Sequence, residues 1–462
     1  MAEFKTHKLG DIAEILTSNV DKKITPNQKT VKLCNFVDVY HNWAITKDNY
    51  ANFITATASD DEISKFSLKK GQVAFTKDSE TRDDIGIPTY IAESFDDVVL
   101  GYHTALATPD ESIVTGEYLN AFMHSNYIQK YFEYNATGSG MRYTLSQQTL
   151  HDIPILAPDL STQKKIGALL TNIDRKININ REINRNLEEL AKQIYDYWFV
   201  QFDFPNEDGT PYKSSGGKMV YNEFLKREIP ENWNCTELQS LCDINRGASP
   251  RPIDDFMDPS KTGIPWIKIS DATEDIESPY LLTIKDCIIP EGKNKSVSVK
   301  PDTLIVSNSA TPGIPKFVEI DACVHDGWLI LTNYEQYYKY YLFYVIKMVR
   351  YNLLHLASGS IFKNLKTDYL KTLPTLNPQI KTLKKFDEKI KRIMKQILIT
   401  EKEIKELVKL RDNLLPLLMN GQVTLNSCLS AILNNFFWYI VLEEDNWIKK
   451  GFSCFFVKIN FN

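Results

Sequence analysis

An internal repeat constrains this chain more than any other feature. Residues 136–199 and 357–419 carry nearly the same landmarks at an offset of about 220 residues. The first copy opens Ala136-Thr137-Gly138-Ser139 and the second Ala357-Ser358-Gly359-Ser360. Each continues through a Leu (Leu150, Leu370), a Pro (Pro154, Pro374), a second Pro (Pro158, Pro378) and a long helical pattern. A globular-plus-helix unit repeated once makes a pseudo-dimer out of one polypeptide. At 462 residues the chain also exceeds what a single core organises, so two or three domains are expected.

The helical patterns come next. In 161–199 apolar residues fall at 166, 169, 173, 177, 183, 187, 190, 194 and 197. In 380–418 they fall at 383, 386, 390, 393, 397, 404, 407, 410, 414 and 417. Steps of three and four over this length describe a coiled-coil seam, and at about 1.5 Å per residue each helix is roughly 57 Å long. Asn420-Gly421 supplies a stop signal for the second. Asn180 and Thr400, 220 residues apart, interrupt the two seams near their middles. In an antiparallel pair about a pseudo-two-fold axis, equivalent residues meet only at the midpoint, where a polar pair fixes register. The alternative is that both face solvent.

The segments before the helices echo each other more faintly. In 6–155, His7-to-Ile15 has the spacing of a short amphipathic helix, with Leu9, Ile12 and Ile15 on one face. Residues 72–75, 89–91 and 98–100 read as strands, and Tyr118-to-Phe132 as a helix before the Gly138-Ser139-Gly140 loop. In 228–375, Leu238, Leu241 and Ile244 repeat the first pattern, 302–306 the strand, Gly313-Ile314-Pro315 the Gly86-Ile87-Pro88 punctuation, and Tyr340-to-Leu354 the helix. The Pro-, Gly- and Ser-dense stretch 200–232 reads as an ordered turn or a linker. The resulting division is 1–158, a first globular domain; 159–200, a first spacer helix; 201–232, a linker; 233–377, a second domain; 378–420, a second spacer helix; and 421–462, an extension.

Charge divides along the same lines. Residues 1–160 carry 14 Lys+Arg against 22 Asp+Glu, and 201–376 carry 19 against 23. The helices are basic, with 7 against 5 in 161–200 and 11 against 6 in 377–425. A net charge of −5 disfavours a solo high-affinity nucleic-acid binder and favours a partner that adds positive charge. Seven cysteines without a C-x-x-C pair, after a polar start, point to a reducing cytoplasm. Neither the cysteines nor the seven histidines show zinc-ligand spacing, so no metal is expected.

Asp203-Phe204-Pro205, then Pro211-Tyr212-Lys213-Ser214-Ser215-Gly216-Gly217-Lys218-Met219, then Ile229-Pro230-Glu231-Asn232-Trp233, resembles the mid-chain segment of type I restriction-modification specificity (S, or HsdS) subunits. The repeated unit resembles the family's target recognition domains, each leading through Gly-Ser and Pro into a long helix. Arg411-to-Val423 is similar to its usual C-terminus. The likeness covers about residues 1–425. It implies an α+β fold in which two α/β target recognition domains, in pseudo-two-fold arrangement, are joined by two long antiparallel coiled-coil helices. It implies double-stranded DNA as ligand, with each domain reading one half of a bipartite asymmetric target. The helices would act as spacer and as dock for two modification (methyltransferase) subunits, with restriction (translocase/nuclease) subunits joining. S-adenosylmethionine, ATP and Mg are then expected on the partners and no cofactor on this chain. Two departures stand out. A Gln shortly after the Pro that leads into the helix is matched by Gln163, but Leu383 holds that place in the second copy. Residues 426–462, with apolar Phe436-to-Leu442, have no counterpart; that run is shorter than the ~20 residues that span a bilayer, so packing against the first domain or a disordered tail is expected rather than a membrane anchor.

Base edges are read by side chains with fixed donor and acceptor patterns, and phosphates by cations or free amides. In the first domain Lys77 and Arg82 flank the 72–76 strand, and Ser139, Arg142, Tyr143 and Gln147 lie in or after the glycine loop. In the second, Arg246, Ser249 and Arg251 surround Gly247 and Pro250. Asn308 and Ser309 take the place of Lys77 and Asp78, and Ser360, Lys363, Asn364 and Lys366 lie in or after the second loop. Gly138 and Gly359 either let backbone N–H groups approach a phosphate or end the preceding helix. The aromatic runs Tyr337-to-Tyr341 and Trp198-Phe199 are expected in a core rather than on bases.

Catalytic signals are poor. There is no G-x-x-x-x-G-K-[ST], and no Asn/Asp-Pro-Pro-aromatic motif of amino-methyltransferases. Asp286…Glu291-Gly292-Lys293 is the nearest approach to a nuclease pattern, and Cys323-Val324-His325-Asp326 the nearest to a nucleophile. The expected role is a non-catalytic DNA-specificity subunit. A free-standing nuclease or methyltransferase lacks its motifs, and a coiled-coil adaptor has no use for two divergent reading domains.

Overall fold

The structure is a computed structural model, and it describes residues 4–138, 142–356 and 365–422. The chain forms two compact units. One holds the described residues up to Ile177 together with 406–422, and the other holds 178–405.

The first unit is built on a five-stranded sheet in the order Ala13–Thr17, Thr104–Pro109, Val73–Thr76, Pro88–Ile91, Ala44–Ile45. Only the last pair is parallel. A three-stranded sheet, Ile54–Ala58, Lys29–Cys34, Val98–Leu100, covers one face, and Ala74, Ile91 and Leu106 pack against Val31, Leu33 and Val99 between the sheets. Being covered explains why 73–76 reads as an unbroken buried run rather than an alternating one. Lys5–Lys8 pairs with Pro154–Ala157 beside the start of the first long helix.

The second unit repeats this order strand by strand. Its five-stranded sheet runs Asp243–Arg246, Trp328–Thr332, Thr303–Ser307, Pro315–Val318, Tyr280–Leu281, again with only the last pair parallel. The covering sheet again contains a parallel pair, Ile264–Ile267 with Ala322–Val324, matching Lys29–Cys34 with Val98–Leu100. Asn234–Glu237 pairs with Pro374–Asn377 as Lys5–Lys8 does with Pro154–Ala157. Side chains alternate across the middle strand. Ile305 joins the cluster between the sheets, while Leu304 and Val306 join a larger one with Tyr341, Phe343 and the long helices.

Small hydrogen bonds repeat as well. Ile87 N donates to Thr76 Oγ1 at 2.9 Å, and Ile314 N to Ser307 Oγ at 2.8 Å. Both turns need their glycine, since Gly86 has φ +78° and Gly313 φ +84°. Tyr118 Oη donates to Leu156 O at 2.5 Å and Tyr341 Oη to Leu376 O at 2.6 Å. The two halves therefore share one scaffold despite little common surface sequence.

Several local expectations shift. The helix expected over 7–15 is one turn, Leu9–Ile12, after which Ile15 lies in a strand. The helix expected over 118–132 is two, Gly116–Met123 and Asn126–Asn135. The stretch 200–232 is ordered, with Phe204 stacked between Tyr212 and Trp233 at 4.7 and 4.8 Å and a hairpin pairing Met219–Asn222 with Arg227–Pro230. Tyr338, Tyr340, Tyr341, Trp198 and Phe199 are core residues.

The long helices are Leu160–Tyr195 and Ile380–Met419. In the second unit Asn180 Nδ2 donates to Glu403 Oε2 at 2.9 Å and Asn184 Nδ2 to Glu401 Oε1 at 2.8 Å, so one helix rises as the other falls. In the first unit Arg411 pairs with Asp174 at 3.6 Å in the same sense. The helices are antiparallel. Asn180 and Thr400 are both buried, but Thr400 Oγ1 donates to Gln396 O of its own helix while Asn180 takes Glu403. The seam expected on the first helix is really two. Ile177, Asn180, Asn184, Ala191 and Trp198 are buried, while Ile179, Ile183, Leu190, Tyr197 and Val200 form an exposed stripe beside them. Among the described residues no helix is long and apolar enough to cross a membrane, and the 426–462 extension lies outside them.

Candidate nucleic-acid interface

In each unit three segments meet at one corner: the exit of the middle strand, the turn that enters the neighbouring strand, and the chain returning from the glycine loop. In the first unit Lys77 N donates to His103 O at 2.8 Å, and Leu145 N donates to Lys77 O at 3.0 Å. In the second, Asn308 N donates to Gly327 O at 2.8 Å, and Leu365 N to Asn308 O at 2.7 Å. The corners are thus equivalent by backbone and different by side chain.

The first corner opens onto a cavity of about 430 Å³ whose lining includes Thr17, Ser18, Lys77, Asp78, Tyr102 and Arg142. Asp78 sits at its floor, only 12% exposed. His103 Nδ1 lies 2.5 Å from Asp78 Oδ2, Arg142 Nη2 lies 3.5 Å from the same oxygen, and Lys77 Nζ 3.7 Å from Oδ1. Burial pushes the Asp78 carboxyl upward, but hydrogen bonds from Thr144 and His103 and the nearby Lys77 charge outweigh it and hold it below the ordinary value. Arg142 rests against the His103 imidazole and is 55% exposed. Arg82 lies over the Tyr143 ring at 5.0 Å. Gln147 is exposed but bonded to the neighbouring strand: its Nε2 donates to Ile15 O and its Oε1 accepts from Thr17 Oγ1, both at 3.2 Å.

Gly138 does not cap a helix, while the rest of its loop (139–141) and Gly359 lie outside the described residues. The preceding helix ends at Asn135, and Thr137–Gly138 pairs with Tyr143–Thr144. A Cβ at Gly138 would stand 2.1 Å from Arg142 O, so glycine permits the close backbone approach that brings Arg142 to the corner.

At the second corner the three residues picked from sequence converge on one aspartate. Ser249 Oγ donates to Asp326 Oδ1 at 2.9 Å, Arg251 Nη2 to Oδ2 at 3.2 Å, and Arg246 Nε to the Asp326 backbone oxygen at 2.7 Å. His325 Nε2 lies 3.1 Å from Oδ1. Burial again works upward on Asp326, and Ser249, His325, Arg246 and Arg251 pull its carboxyl below the ordinary value. Burial, with the Lys268, Arg246 and Arg251 charges, outweighs Asp326 and lowers the His325 imidazole. Asn308 is buried and Ser309 half-buried, whereas Lys366 is exposed just before the short helix Thr367–Lys371. Ser139, Ser360, Lys363 and Asn364 lie outside the described residues.

Asp78, His103 and Thr17 carry no sequence signal that marks them as site residues, and His325-Asp326 stands out in the sequence only beside Cys323. Cys323 is fully buried, and Asp286 of the nuclease-like pattern pairs with Lys268 at 2.7 Å. Among the described residues no group of three His, Cys, Asp or Glu could hold a metal ion.

Residues 1–189 match the family model for the type I restriction modification DNA specificity domain. This part of the chain belongs to that family. The likeness to specificity subunits extends further. The HindI specificity subunit of Haemophilus influenzae is 24% identical over 92% of this chain and 100% of its own length. The MjaIX specificity subunit of Methanocaldococcus jannaschii is 22% identical over 68% of this chain and 70% of its own. Among solved structures, the type I restriction-modification system S subunit from M. genitalium has a TM-score of 0.56 at 14% identity, covering 90% of this chain and 96% of that one. The duplicated domains and long helices are thus the S-subunit fold.

Proposed function

We propose that this chain is the sequence-specific DNA-recognition subunit of a type I restriction-modification complex, and that it is not itself an enzyme. The single observation behind this is the pair of corners, alike in backbone and unlike in side chains. One scaffold with two different sets of exposed arginines suits a bipartite, asymmetric DNA target, one half per domain. The long helices, of 36 and 40 residues, would set the distance between half-sites, for which about one helical turn of B-DNA (~34 Å) is the natural unit.

The exposed stripe Ile179, Ile183, Leu190, Tyr197 and Val200 supports docking of partner proteins along the first helix. In this reading two modification (methyltransferase) subunits bind the helices, restriction subunits join them, and S-adenosylmethionine, ATP and Mg belong to those partners. The division of the chain into two recognition domains, two spacer helices and a linker follows the same reading, as does action in the cytoplasm. The test is methylation mapping on genomic DNA exposed to this chain assembled with its methyltransferase partners. Methylated adenines confined to one split, non-palindromic sequence are expected. Methylation that follows no bipartite sequence would defeat the proposal.

A further inference from the structure

We infer that Asp78 and Asp326 are positioning residues whose carboxylates aim base-reading arginines, Arg142 in the first unit and Arg251 in the second. The inference rests on the DNA-reading role proposed above and assigns it to particular atoms. Asp78 is 12% exposed and Asp326 27%, and each carries several hydrogen-bonding or ionic partners, so its own position is held. Both carboxyls are kept below their ordinary titration range and are anionic at neutral pH. The arginines beside them are outward: Arg142 is 55% exposed and Arg251 80%.

The chemistry separates two uses of such an arginine. A phosphate contact needs only positive charge, and a carboxylate 3.2–3.5 Å from the guanidinium offsets part of it. A guanine edge is neutral and needs a planar fork held at a fixed angle. A guanidinium has five N–H donors, and one engaged with a carboxylate leaves others for O6 and N7. Tethering also removes rotamer freedom before binding, so less is lost on contact. The arrangement suits base reading better than phosphate binding.

The two corners reach this composition by different routes. Asp78 comes from the exit of the middle strand, whereas Asp326 comes from the neighbouring turn, and Ser309 stands at the place of Asp78. Arg246 and Thr17 occupy matching strand ends, paired with Leu329 and Ala105. The corners should therefore recognise different bases.

The experiment is methylation of a randomised-target DNA library by the complex of this chain with its methyltransferase subunits, comparing wild type with Asp78→Asn, Arg142→Lys and Asp326→Asn. Arg142→Lys keeps the charge and loses the fork. Asp78→Asn and Arg142→Lys are expected to relax discrimination at the same base pair of one half-site by about tenfold or more, and to leave the other half-site intact. Asp326→Asn should do the same in the other half-site only. Unchanged discrimination, a uniform fall across all sequences, or loss at different base pairs for Asp78→Asn and Arg142→Lys would overturn the inference. A wild-type complex that selects no bipartite sequence would instead overturn the functional reading beneath it.

Discussion

Gln163 and Leu383 hold matching places at the heads of the two long helices, and each is suited to its own surroundings. Gln163 is 1% exposed; its Oε1 accepts from Thr115 N at 3.0 Å, and its Nε2 donates to Ile113 O and Pro158 O at 2.9 Å. Leu383 is fully buried among Phe386, Tyr341 and their neighbours. Gln163→Leu would leave a nearly buried Thr115 N–H unpaired, at a cost of about 1–3 kcal/mol. Leu383→Gln would bury an unpaired amide at a similar ~1–3 kcal/mol. Denaturant melts of both variants check this, and a wild-type midpoint for either would refute the account of that site. A second contrast lies in the middle of the sheets, where Thr89 pairs with Ala74 and Lys316 with Ile305. Lys316 is fully buried and donates to Asp275 O at 2.6 Å and to Ser278 O. Burial pushes its ammonium down to about 8 from an ordinary 10.5, with Asp275 opposing. Between those values the unfolded chain binds more protons than the folded one, so stability from this group rises as pH increases from about 8 to 10.5. The rise is at most about 3 kcal/mol. Lys316→Met should abolish that part of the slope in a pH series of thermal melts, whereas an unchanged slope would mean the lysine is not held as described.

At the level of elements, the repeat and both long helices were legible because a seam of threes and fours over nearly forty residues has no other economical reading. The middle strands were legible from their buried runs between Gly and Pro. What could not be read was which of two adjacent apolar rows faces inward. Ile177 and Ile183 are equally apolar, and six residues of spacing fits either face. Burial of Asn184 rather than Ile183 is decided by Glu401 on the facing helix, a partner 217 residues away. The corners were half legible for a similar reason. Arg246, Ser249 and Arg251 were found by type and proximity to Gly247, but Asp326, which gathers them, is some 75–80 residues distant. The two rows should also respond differently to mutation. Ile177→Ala in the buried row should cost about 2–5 kcal/mol. Ile183→Glu with Leu190→Glu on the exposed stripe should change stability by no more than about 0.5 kcal/mol per site, yet reduce co-purification of the methyltransferase subunits. A double variant that assembles as well as wild type would remove the stripe from the docking surface.

For the whole molecule, charge is the informative quantity. The domains are acidic and the helices basic, summing to −5. At each corner an aspartate further offsets the arginines that face outward. Such a chain gains little from releasing the counterions of DNA, since that gain scales with the number of phosphates neutralised. In the proposed complex, specificity and affinity would then be supplied by different subunits, this chain selecting the sequence and its partners bringing most of the positive charge that holds the backbone. The salt dependence of binding measures that division directly. For the isolated chain on its target, log K against log salt should fall with a slope no steeper than about −3, the mark of few phosphate contacts. With methyltransferase subunits added, the slope should steepen to about −6 or beyond as their contacts are counted in. Fluorescence anisotropy across a salt series on one duplex gives both numbers. A steep slope for the isolated chain would mean that its domains carry a phosphate-binding surface of their own, and that the paired arginines are not the main contact with DNA.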